Sequence, residues 1–179
     1  MDPNEIPIEE HLKQLGKELS ARLEDVLERT RGAAGSSRAM EDRLEETLQK
    51  ISESSTLAVA SWLAGGRPEE GRDTSKWVFE TYGQWAAERV AQLNEVAKRC
   101  LRWRDAVQAV LAEIAVEKDI PEAPVLRAMG MVQKTIDVTI VRMCECFESE
   151  RVKTDAQLAF MATHLSLIHI SEPTRQAEI

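Results

Sequence analysis

Apolar residues in this chain recur at intervals of three and four through five segments, the spacing that places them on one face of an α-helix. In the first segment, Ile8 to Arg31, the stripe is Leu12, Leu15, Leu19, Leu23 and Val26. A single helix is expected there, closed by Gly32-Ala33-Ala34-Gly35-Ser36-Ser37. The second segment, Arg38 to Leu63, carries Met40, Leu44, Leu48 and Ile51, is interrupted by Ser55, and resumes with Ala58, Val59 and Trp62. Gly65-Gly66-Arg67-Pro68 should stop it, because Gly suits the C-terminal cap and Pro can open a following helix. The third, Glu69 to Ala91, places Val78, Tyr82, Trp85 and Ala86 on one side. The fourth is the most regular: Leu93, Val96, Cys100, Trp103, Val107, Val110 and Ile114. Segments three and four are one bent helix or two, with the kink expected near Gln92.

Asp119-Ile120-Pro121-Glu122-Ala123-Pro124 ends the fourth segment, since Pro disfavours helical geometry in the residue before it. From Val125 to about His164 there is no Pro, and Gly130 is the single Gly. The stripe there is Met129, Ile136, Ile140, Met143 and Phe147, then Thr154, Leu158 and Met161. A helix of about forty residues would be ~60 Å long. Past Phe147 the faces turn polar, with Glu148, Ser149, Glu150, Arg151, Lys153 and Asp155, and apolar residues return at the seam. That pattern reads either as a core helix with a solvated tail or, preferably, as a helix leaving its domain in a two-stranded coiled coil. The candidate dimer and signalling seam is Ile136, Ile140, Met143, Phe147, Leu158 and Met161.

Composition narrows the class without naming a chemistry. Leu, Ala, Glu, Arg and Val dominate, a helix-forming palette, so an all-α domain is expected. The net charge of −8 repels phosphate backbones and argues against nucleic-acid binding. No run reaches the ~18 apolar residues of a membrane span. Met1-Asp2-Pro3-Asn4-Glu5 lacks the basic and apolar regions of a signal peptide, and three cysteines make no disulfide framework. A cytoplasmic protein is the expectation.

Candidate chemistry is sparse. His11, His164 and His169 show no metal-ligand spacing, and His11 reads as lying on an exposed turn. Cys144 and Cys146 are two apart on a helix, which turns them to nearly opposite faces; with Cys100 they read as small buried hydrophobes. No phosphate loop or nucleophile motif occurs. An enzyme, a metal and a cofactor are therefore not expected. Lys98-Arg99-Cys100-Leu101-Arg102-Trp103-Arg104 places four cations in seven residues. It reads as a patch for an anionic partner or ligand, made by Lys98, Arg99, Arg102, Trp103 and Arg104, with Trp103 as a stacking surface. The plainer reading pairs those cations with Glu9, Glu10, Glu24 and Asp25. Trp62, Trp77, Trp85 and Trp103 read as core at helical spacing, with a small pocket as the other reading.

Two stretches resemble known families. Trp62-Leu63-Ala64-Gly65-Gly66-Arg67-Pro68, Leu93 through Trp103-Arg104-Asp105-Ala106-Val107, and Val141 through Cys146-Phe147-Glu148-Ser149-Glu150-Arg151 resemble the helical, non-haem globin-like input domains of bacterial signalling proteins. Stressosome co-antagonists are among them. That resemblance implies a globin-like bundle of about five or six helices with a long C-terminal signalling helix. No His between His11 and His164 could serve as a proximal haem ligand. Gln157-Leu158-Ala159-Phe160-Met161-Ala162-Thr163-His164 resembles the lead-in to a diguanylate cyclase (GGDEF) domain, and the match stops at Leu165. Leu165 through Arg175 resembles translated sequencing-adapter read-through and shows no helical period continuing the fifth segment.

The expected organisation is an input domain over 1–150, a coiled-coil linker and lead-in over 151–164, and an adapter-derived tail over 165–179. The resemblances imply a homodimer whose long helix regulates cyclic-di-GMP synthesis by a following cyclase. A non-enzymatic scaffold of stressosome type, or the input domain of a transcription regulator, are the alternatives. The signal would be a regulatory protein or a small ligand.

Overall fold

The computed structural model describes residues 7–31, 39–66, 78, 81, 85 and 93–170. Among them are five helices and no strand: α1 (Ile8–Ala21), α2 (Leu23–Arg31), α3 (Ala39–Leu63), α4 (Leu93–Glu117) and α5 (Glu122–Ile170). Residues from all five join one apolar core, which also takes in Val78 and Trp85. Trp77, Tyr82 and Ala86, and the kink expected near Gln92, lie outside the described residues.

The first segment is two helices, not the single one expected from its stripe. Arg22 breaks it, at φ −103° and ψ 28°. Its N–H is shared between the carbonyls of Glu18 (3.0 Å) and Leu19 (3.2 Å), and helical bonding resumes with Val26 N–H to Arg22 O at 3.3 Å. No Gly or Pro marks the break. The Arg22 side chain instead fastens the corner, donating to Asp25 (2.8 Å), Glu113 (2.6 Å) and Glu117 (3.2 Å). The bend lets α1 pack against α3 while α2 packs against α4.

The α1–α3 crossing depends on Gly16. A Cβ there would lie 2.3 Å from the Ala60 carbonyl oxygen and 2.9 Å from the Ala64 nitrogen. Both are backbone atoms, so the helices could not approach this closely around any larger residue. Leu15, Leu19 and Val26 are fully buried nearby, and His11 is 4% exposed. His11 is therefore inside, not on the exposed turn its charged neighbours implied. It shares the inward arc with Leu12 and Leu15, a wider face than a strict three-four stripe.

Helices α3 and α4 end in the same hydrogen-bonding motif. After α3, Gly66 N–H bonds Ser61 O (2.8 Å) and Gly65 N–H bonds Trp62 O (3.1 Å), with Gly65 at φ 91°. This is the Gly-terminated cap expected from the sequence. After α4, Ile120 N–H bonds Ala115 O (2.9 Å) and Asp119 N–H lies 3.5 Å from Val116 O. Here the left-handed residue is Asp119, at φ 53°. The motif turns Ile120 into the core, where it is 8% exposed.

Helix α5 starts at Glu122, three residues earlier than expected. Pro124 fits inside its first turn because the N–H groups there have no helical acceptor. Helix α5 crosses residues 150 and 164 without a break and runs to Ile170. The expected loss of period at Leu165 is not observed. Leu165 and Ile168 follow Met161 at intervals of four and three, which sustains the stripe.

Candidate functional site

The seam of α5 divides into two unlike parts. Ile136 (3% exposed), Met143 (0%) and Phe147 (5%) are buried within the single chain, with Ile140 partly buried against the same cluster. Packing against α4 and α1 accounts for most of that cover. These four residues are thus core, not an open surface for a second copy. Leu158 (52%) and Met161 (58%) are exposed. The change follows from length: α5 outruns the helices that cover it, and the stripe continues where no other described helix packs on it.

The basic cluster divides as well, by helical geometry. Lys98 and Arg102 are exposed and Arg104 is half-buried, with its guanidinium 2.7 Å from Asp105. Arg99 and Trp103 lie one turn apart on the inward face. Arg99 is 5% exposed. It donates to Glu45 through Nη2 (2.8 Å) and Nη1 (3.3 Å), and Nη1 also reaches the Arg31 carbonyl at 3.4 Å. One buried cation thereby ties α4 to α3 and to the last carbonyl of α2, where the helix dipole favours positive charge. Trp103 is 4% exposed, so it is core and not a stacking surface. Its indole N–H donates to Thr56 Oγ1 (2.9 Å), which donates to Ser52 O (2.7 Å). Three of the four acids expected to neutralise the cluster are used elsewhere: Glu9 with Arg127 (3.3 Å), Glu10 with Lys13 (2.6 Å) and Asp25 with Arg22 (2.8 Å).

A charge network missed by the sequence reading joins α2 to α4. Glu113 accepts from Arg29 (2.8 and 3.0 Å) and from Arg22 (2.6 Å). These donors, Arg29 first, hold the Glu113 carboxyl below its ordinary range. The hydrogen bond to Asp25 raises Arg22, and that to Glu113 raises Arg29. All its members already have partners, so the network binds helices together and offers no vacant catalytic group.

Cys100 is buried, whereas Cys144 and Cys146 are only half-buried, and none of the three is in a disulfide. The expectation of buried cysteine thus holds for Cys100 alone. Among the described residues no group of three or more His, Cys, Asp or Glu side chains is placed to hold a metal ion. No helix among them is long and apolar enough to cross a membrane. No protein-family model, curated protein or solved structure matches the chain.

Some of this was readable in the sequence and some was not. Arg99 occupies a stripe position, three after Val96 and four before Trp103, so the period itself marked it as inward. Nothing local marked its acceptor Glu45, fifty-four positions away.

Proposed function

We propose that this chain is the regulatory input domain of a signal-transduction protein, with α5 carrying the state of the helical bundle to an output module. One observation carries the reading. Ala128, Val132, Ile136, Met143 and Phe147 of α5 are buried in the core, while the same helix presents Leu158 and Met161 in the open. A rigid helix anchored at one end transmits any repacking of that core to its other end. The resemblance of Gln157–His164 to a GGDEF lead-in makes a diguanylate cyclase the favoured output, and the resemblance of the body to non-haem globin-like sensors fits an input role. In this reading the protein is a cytoplasmic homodimer, and α5 tails pair in parallel through Thr154, Leu158 and Met161 so that two cyclase domains face each other. Thr154 in that seam keeps the pairing marginal, which suits a switch.

Resequencing the source gene across the codon for His164 tests the cyclase output directly. A frame continuing through Asp-x-Leu-Thr-Gly-Leu-Pro-Asn-Arg is the expected result. A frame that encodes Leu165 to Ile179 and stops would remove the cyclase from the reading.

The second reading is a stressosome-type scaffold, favoured by the exposed Lys98 and Arg102 on the outer face of α4. Reversing both charges should then abolish capture of an acidic partner.

A further inference from the structure

Ile136, Ile140 and Met143 each stand eighteen residues before Thr154, Leu158 and Met161. At about 3.6 residues per turn that interval is five turns, so each pair lies on one line along α5. The stripe therefore does not wind to a new side of the helix where its cover ends. Ile136 and Met143 are buried under the bundle, and Leu158 and Met161, on the same side, are exposed. Between the two parts the line is polar: Glu150 and Arg151 take its positions after Phe147, and Glu150 is ion-paired with Lys153 of its own helix. Helix α4 supplies most of the cover over the first part. Residues 118–121 join it to α5, so it runs back along α5, and positions about equally far from Ile120 lie level. Val96 is thus level with Met143, and Cys100 with Ile140. A second α5 laid parallel on Leu158 and Met161 would lie, toward its own N-terminal half, on the line that α4 already holds. While the bundle is docked, the two helices must part beyond Thr154.

We propose that the bundle and a second copy of α5 compete for this one stripe, so that the hold of α4 on Met143 and Phe147 sets how far the tail pairing extends. The inference rests on the parallel tail pairing of the proposed function and adds its regulation. With the bundle docked, contact between the copies is limited to Thr154, Leu158 and Met161. When α4 loosens, Phe147, Met143 and Ile140 pass from the bundle to the second copy, and the contact lengthens by about four turns. The two states differ in the angle between the helices, which part above the tails in one and lie side by side in the other. That difference is what a following output module would read. Competition for one surface is reciprocal: whatever tightens the bundle weakens pairing by the same factor, and pairing loosens the bundle.

The test is sedimentation of the full chain across a micromolar concentration series, with the cover weakened and the stripe left intact. Val96→Ala and, more mildly, Cys100→Ala trim α4 where it lies level with Met143 and Ile140. Each should tighten self-association, by about threefold to tenfold for Val96→Ala. Adding Leu158→Asp/Met161→Asp should abolish association in every background. Circular dichroism checks that each variant keeps its helicity, and Cys100→Ala decides the matter where Val96→Ala unfolds the chain. Tighter association that still requires Leu158 and Met161 upholds the inference. A dimer that requires them but is unchanged or weakened by the α4 variants overturns it and leaves the tail pairing standing. A chain monomeric at high micromolar concentration in all three backgrounds overturns the tail pairing and the inference with it, as does a dimer indifferent to Leu158→Asp/Met161→Asp.

Discussion

Met143 and Met161 belong to one stripe on one helix, about five turns apart, and their surroundings are opposite. Met143 is fully buried among core residues, and Met161 is 58% exposed. A methionine stripe thus reports a surface that needs covering, without reporting what covers it. In the first half of α5 the cover comes from the same chain. In the second half no other described helix supplies it.

The largest effect should separate those two residues. Met143→Ala is expected to lower unfolding free energy by about 2–5 kcal/mol, through lost burial and a residual cavity. Met161→Ala should change it by no more than about 0.5 kcal/mol in the monomer. Urea unfolding at low protein concentration measures both, and equal losses would contradict the division of the helix.

The same contrast sharpens at two glycines. Gly16→Ala forces a methyl group against the backbone of Ala60 and Ala64 and should cost about 1–3 kcal/mol. Gly130→Ala meets open space within a helix and should stabilise by about 0.8–1 kcal/mol, from helix propensity alone. Thermal unfolding of both variants should therefore shift in opposite directions. A shift of the same sign would mean that α1 and α3 do not cross at Gly16.

The smallest effect concerns the charge network between α2 and α4. Glu113 has a depressed folded-state pKa, chiefly from Arg29, so its unfolded form binds a proton more readily. Its contribution is full above the ordinary value of 4.5 and is lost as pH falls through the lower folded value. The stability difference between the wild-type chain and Glu113→Gln should be steady near pH 7 and shrink below pH 4.5. A difference that does not change over that range would place Glu113 outside the ion pairs.

How much of this was legible depended on whether the signal was local. Helix α4 was read almost residue by residue: Val96, Cys100, Trp103, Val107, Val110 and Ile114 are all buried. In α3 the stripe was misplaced by its polar residues. Ser52 (4% exposed) and Thr56 (0%) are buried, because hydroxyls that bond carbonyls one turn back carry their polarity inward at little cost. Ser55, which interrupts the apolar series, is half-buried. The basic cluster looked like one surface because its charges are adjacent in sequence, but adjacent residues share no face on a helix, and Arg99 parts from Lys98 by that geometry alone.

Periodicity and punctuation were enough to establish the all-helical character of the described residues, the Gly65 cap and the stripe along α5. They act over one or two turns, and so they can be read one segment at a time. The corner at Arg22, the crossing at Gly16 and the clasp of Arg99 on Glu45 were decided only in the tertiary structure. Each joins residues on different helices, and a crossing too close to admit a Cβ, or a part-buried ion pair, comes into being only when those helices are brought together. The same reason separates the halves of α5, since a stripe becomes core only where another helix reaches it.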